Sequence, residues 1–293
     1  MGTYTEMTFD ELAAAARMVR SGHLDVATYS LGEGTGTVTY LHGFPSNALD
    51  VGPVVDRISD DATVLALDFP GFGASDKPAG HPWSIAACAD AVEAMWADRS
   101  ITSTVLECHD YGVSPAQELL ARRAEGRLQI EITGVVWHNG GIYADLHRPT
   151  LGQQLLLDPD RGPEVAAAMT EELFFGGIEI TWGTRRPLDE REVHQMWSAM
   201  NARGGSGRAH ELLHYIAERR ELAPRRRGAV ASCELPMWFV WGDLDPVSGA
   251  HMIERVQATL PDAVIVRMAD VGHWPTLEAP DECATAVRAA LSV

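Results

Sequence analysis

The chain has 293 residues, 46% hydrophobic and 22% charged, which is enough for one large core plus an inserted subdomain and argues against extended disorder. Its 23 Lys and Arg face 41 Asp and Glu, a net charge of −18. A field of that sign repels phosphate backbones and anionic bilayers, so neither nucleic acid nor membrane is an expected partner. The one basic run, Arg225-Arg226-Arg227, is too short to reverse this and reads as solvated surface. Cys88, Cys108, Cys233 and Cys283 are widely spaced without a Cys-x-x-Cys pair, which fits reduced thiols. No basic region followed by an apolar run opens the chain, and no stretch of about 18 apolar residues occurs. Met1-Gly2 begins like a myristoylation signal, but Glu6 stands where Ser or Thr is required. The expectation is a cytoplasmic protein.

In chain order, residues 8–20 predict a helix, with Thr8 as N-cap and Glu11 completing a capping box. Strand-like runs follow at 23–31 and 37–41, and the glycines of Gly32-Glu33-Gly34-Thr35-Gly36 between them predict a hairpin turn, not a dinucleotide loop. Further β-branched, apolar runs lie at 63–67, 104–107, 130–137, 237–241 and 263–268. Helical patterns at 84–97, 113–125, 250–259 and 281–291 separate most of them. Apolar strands alternating with helices predict a mostly parallel sheet covered on both faces. The alternation breaks across 144–231, where helical patterns at 163–174, 188–200 and 209–221 surround a Gly-rich loop, Gly204–Gly207. That divides the chain into a core of 1–143 and 232–293 and a helical cap of 144–231.

The chemistry concentrates at Val105-Leu106-Glu107-Cys108-His109-Asp110-Tyr111-Gly112-Val113, where a strand runs straight into a helix. A nucleophile elbow needs small residues two positions either side of the nucleophile, because the turn is strained and tightly packed. Cys108 and Gly112 meet that need around Asp110. A plain Asp N-cap would also explain this segment taken alone. Leu41-His42-Gly43-Phe44-Pro45 follows another strand, where the Phe44 N–H can supply half of an oxyanion hole and the Tyr111 N–H the other half. Asp245 (with Asp243 as fallback) and then His273 follow the next strands, and the order nucleophile, acid, histidine is that of the α/β-hydrolases.

On these motifs the chain resembles the epoxide-hydrolase and haloalkane-dehalogenase branch of the α/β-hydrolases over nearly its whole length. The subgroup around the mesoderm-specific-transcript protein is the most similar by eye, through His109–Gly112, Asn139–Tyr143, His147-Arg148-Pro149, Tyr215–Arg219 and Asp245–Gly249. The resemblance implies an eight-stranded sheet with an inserted helical cap, no cofactor, and a small apolar or amphipathic substrate with water as co-substrate. It leaves a homodimer open. It further implies Asp110 as nucleophile and His273, oriented by Asp245, as activator of water. Tyr215 corresponds in register to a ring-opening tyrosine, while the family's second cap tyrosine has no clear match, Tyr143 being the nearest offered.

A free aspartate has a pKa of about 3.9, so Asp110 is expected to be ionised at neutral pH and to attack sp³ carbon, giving an alkyl-enzyme ester. Epoxides are the leading substrate class and haloalkanes the runner-up. Tyr111 and Phe44 stand where dehalogenases typically carry Trp and Asn, which weighs against halide. An esterase-like or non-catalytic member remains as an alternative, although a pure binder has no need of a water-activating pair. A rival from another class is His210-Glu211-Leu212-Leu213-His214, which matches the H-E-x-x-H pattern of zinc proteases but lacks a marked third ligand.

Overall fold

The computed structural model describes residues 3–293, so the Met1-Gly2 opening lies outside the described residues. Eight strands form one sheet in the order β1-β2-β4-β3-β5-β6-β7-β8: β1 Arg17–Ser21, β2 Leu24–Leu31, β3 Gly36–Leu41, β4 Ala62–Leu67, β5 Ser103–Asp110, β6 Glu131–Gly140, β7 Met237–Gly242 and β8 Val264–Met268. The pairs from β4 through β8 are parallel, while β1 with β2 and β2 with β4 are antiparallel. The central strands are apolar on both faces because helices cover both, and β5 is buried from Thr104 to Asp110.

Two expectations near the N-terminus fail. The Thr8 capping box forms, but its helix ends at Ala14, and Arg17–Ser21 becomes β1. Met18 and Val19 there pair with Ala27 and Val26, so ladder hydrogen bonds override helical periodicity. The true hairpin is β1–β2. The glycines at 32–36 instead join β2 to β3 as a crossover, since β2 and β3 each pair with β4 and not with each other.

The segment between β6 and β7 is helical throughout its regular structure. The run expected at 163–174 splits into Gly162–Ala167 and Glu171–Glu179, because the Thr170 side chain accepts the Leu173 N–H and starts a new helix. The run expected at 209–221 likewise divides into Ala209–Leu212 and Tyr215–Glu221. This segment is tied to the core through polar contacts: Gly183 N–H donates to Glu278 at 2.8 Å, and Lys77 donates to the Ala202 carbonyl at 2.7 Å. All four cysteines are free thiols, and among the described residues no helix is long and apolar enough to cross a membrane.

Candidate active site

Asp110 is the last residue of β5, and its φ of 43° lies in the left-handed region, which costs a non-glycine residue about 1–2 kcal/mol. The strain follows from turning a strand into the helix Val113–Ala124 within two residues. Gly112 completes the turn, for a Cβ there would overlap the Leu41 carbonyl of β3. Asp110 is not the cap of that helix: the cap position is Gly112 and no side chain caps it. The carboxylate points instead across to β3, where Phe44 N–H donates to Oδ2 at 3.0 Å. Its Oδ1 lies 3.6 Å from His273 Nε2.

On the far side of the imidazole, Nδ1–H donates to Asp245 Oδ2 at 2.8 Å. Three further donors fix Asp245: Val247 N–H at 2.7 Å, Ser248 Oγ–H at 2.7 Å and Asn139 Nδ2–H at 3.0 Å. The fallback Asp243 is instead paired with Arg267 at 3.0 Å on the exposed side of β8. The His273 loop is held from three directions. Its N–H donates to the Thr181 carbonyl at 2.8 Å, His109 Nε2–H donates to its carbonyl at 2.7 Å, and Glu278 accepts the N–H groups of Gly272 and Trp274. Asn139 entered above only as part of a resemblance and Glu278 not at all, because their contacts exist only once the fold brings distant segments together.

Electrostatics depart from the unperturbed aspartate expected above. Burial raises the Asp110 pKa, while the His273 charge, the Phe44 N–H and the Arg219 charge pull it back. His273 is pushed down by burial, yet the Asp245 and Asp110 carboxylates more than offset this and lift it to about 9. Burial works against Asp245 as well, but His273, Asn139 and Ser248 hold it well below the usual carboxylate range. The two carboxylates thus favour the charged form of the imidazole, while burial disfavours the charged form of Asp110.

The remaining candidates separate clearly. Tyr111 N–H makes no turn or loop hydrogen bond among the described residues. Tyr215 packs its ring 4.4 Å from that of Tyr111, and its pKa is raised by burial and by the Asp110 charge. Tyr143 does not join them: its hydroxyl hydrogen-bonds Thr259, and it lines a different cavity with Gln117 and Arg227. The zinc motif also comes apart. His210 and His214 fall on either side of a helix break, and Glu211 is held by Arg208 and by Trp83 Nε1–H at 3.0 Å. Among the described residues no group of three His, Cys, Asp or Glu side chains is placed to hold a metal.

Above His273 opens a cavity of about 300 Å³. Its walls are mainly apolar and come from both the core, through Phe44 and Val247, and the helical segment, through Leu156, Phe174 and Ile178. Such a space suits a small hydrophobic molecule oriented by few polar groups.

The human mesoderm-specific transcript homolog protein is 35% identical over 250 residues, covering 83% of this chain and 75% of that protein. Haloalkane dehalogenase 2 of Mycobacterium tuberculosis is 28% identical over 264 residues, covering 87% of this chain and 88% of that protein. Among solved structures, an esterase (EaEST) from Exiguobacterium antarcticum has a TM-score of 0.76 at 13% identity, covering 95% of this chain and 100% of that one, a likeness of fold alone. Residues 40–286, from within β3 into the last helix, match the Alpha/beta hydrolase family, and the chain belongs to that family.

Proposed function

We propose that this hydrolase acts through an alkyl-enzyme ester on Asp110, with epoxides as the substrate class. The observation that carries the reading is the placement of one carboxylate between two partners, Phe44 N–H at 3.0 Å on Oδ2 and His273 Nε2 at 3.6 Å from Oδ1. In the first step an Asp110 oxygen attacks a ring carbon, the carbon–oxygen bond of the epoxide breaks, and the departing oxygen takes the Tyr215 hydroxyl proton. The helical segment 144–231 serves as a cap that excludes water while this happens.

In the second step His273 takes a proton from water, which attacks the ester carbonyl of Asp110. The tetrahedral oxyanion meets the N–H groups of Phe44 and Tyr111, each worth about 3 kcal/mol. Alkylation itself prepares the base. The Asp110 charge helps keep His273 protonated, so forming the ester removes that charge and lowers the imidazole pKa. Before water attacks, the proton that His273 gives up passes to the Tyr215 phenolate. The tetrahedral intermediate then collapses and its new carboxyl proton goes to the departing alkoxide, so Asp110 is again a carboxylate, His273 keeps the proton taken from water, and epoxide plus water has given diol.

Dehalogenation is the second reading, favoured by the similarity to haloalkane dehalogenase 2. A single turnover in heavy-oxygen water, with enzyme in excess, tests the shared covalent route. Label should enter Asp110 and be absent from the first product; label appearing directly in that product would overturn the route. Parallel assays of epoxides, haloalkanes and aryl esters decide the leaving group. His273→Gln should let the ester accumulate, and Asp110→Asn should abolish its formation.

A further inference from the structure

Arg219 is a buried cation that nothing in the proposed cycle has used. It is 2% exposed, and its Nε and Nη2 are enclosed with no hydrogen-bond partner. No carboxylate among the described residues forms an ion pair with it, although its neighbours Arg225 and Arg226 are both paired, with Glu118 and Glu125 and with Glu118 and Glu218. An unpaired buried guanidinium is costly, several kcal/mol even after relaxation, so its retention calls for a compensating charge. Its surroundings lead back to Asp110. The guanidinium carbon lies 5.4 Å from the Tyr215 ring centroid, and that ring stacks on Tyr111, the residue after Asp110. The guanidinium also occupies the space where a Cβ at Gly141 would sit, and Gly140 pairs with Asp110 across β5 and β6. His147 Nε2, likewise buried without a partner, lies in the loop between Gly141 and the helix Leu151–Leu157.

Charge accounting then gives Arg219 a task. With Asp110 and Asp245 ionised and His273 and Arg219 protonated, the charges of these four groups sum to zero. Forming the Asp110 ester moves an electron pair from the carboxylate into the new carbon–oxygen bond, and the broken bond's pair leaves with the departing atom. Asp110 is now neutral, and the site carries an excess positive charge.

We propose that Arg219, beside Tyr215, forms an anion site that becomes vacant electrostatically when Asp110 is alkylated and holds the small monoanion that departs. With an epoxide the ring oxygen stays bonded to the alkyl group and takes the Tyr215 proton, so the anion held is the Tyr215 phenolate. With a haloalkane it is the halide. Arg219 thereby shares with Tyr215 the negative charge that leaves carbon, whether it departs as halide or passes to Tyr215. The inference rests on the alkyl-ester reading for its role in turnover, but the anion site can be measured without any substrate.

Asp110→Asn mimics the alkylated, neutral nucleophile. Bromide binding to this variant, followed by tryptophan fluorescence or calorimetry, should be at least about tenfold tighter than to the wild-type protein. Asp110→Asn combined with Arg219→Gln should lose the gain, and Asp110→Asn with Arg219→Lys should keep part of it. Asp110→Asn with His273→Gln should retain it, which separates Arg219 from the imidazole and needs no change at Arg219. Unchanged bromide affinity in Asp110→Asn, or a gain that vanishes with His273→Gln, would overturn the proposal. The heavy-oxygen experiment reports separately on the ester, so a failed covalent route and a failed anion site give different results.

Discussion

His273 stands between Asp245 at 2.8 Å and Asp110 at 3.6 Å, and both charges act to keep it protonated. A protonated imidazole is no base, so in the proposed cycle its basicity appears only after Asp110 has been neutralised. The expected consequence is measurable without substrate: Asp110→Asn should lower the His273 pKa from about 9, as followed by NMR of the imidazole. Stability follows with a definite sign. A group whose pKa rises from 6.5 to about 9 on folding contributes fully below pH 6.5 and loses that contribution as the pH climbs through 9. Denaturant titrations of wild type and His273→Gln should therefore show a difference of about 3 kcal/mol at pH 6 that shrinks towards pH 10. A difference that grew with pH would contradict the raised His273 pKa.

Elements place these groups by backbone geometry more than by side-chain choice. The β5 turn works because Gly112 allows it to approach Leu41 of β3, so Gly112→Ala must push the elbow away from the Phe44 donor. Overpacking of this kind costs about 1–3 kcal/mol, and activity should fall by more than the loss of folded protein accounts for. That is checked by activity per folded molecule alongside the denaturation midpoint. The histidine loop depends in the same way on Glu278, which accepts the N–H groups of Gly272, Trp274 and Gly183. Glu278→Ala would leave buried donors unmatched, at about 1–3 kcal/mol each, and should slow ester hydrolysis more than ester formation, as resolved by single-turnover kinetics.

At the scale of the molecule, the core and the segment between β6 and β7 enclose an apolar cavity inside an acidic shell. A net charge of −18 slows the approach of anionic substrates, and salt screens that repulsion within about 10 Å at 0.1 M. The value of kcat/KM for a carboxylated epoxide should rise with ionic strength, whereas that for a neutral epoxide of the same size should stay flat. Stopped-flow or steady-state rates across a salt series make the comparison.

The sequence by itself determined what depends on local pattern and on fixed spacing. Alternating apolar strands and helices, the small residues around Asp110, and the order Asp110, Asp245, His273 can all be read from neighbours along the chain. Strand pairing could not be read there. Met18 and Val19 have helical neighbours but a strand partner, and the glycines at 32–36 suit a hairpin although both flanking strands pair with β4. Nor could orientation: Tyr143 and Tyr215 are alike as residue types, yet one turns to Thr259 and the other stacks on Tyr111. Arg219 shows the reason most plainly. Its guanidinium is exceptional only because burial strips it of water and no carboxylate among the described residues forms an ion pair with it, and burial is a sum over segments far apart in the chain.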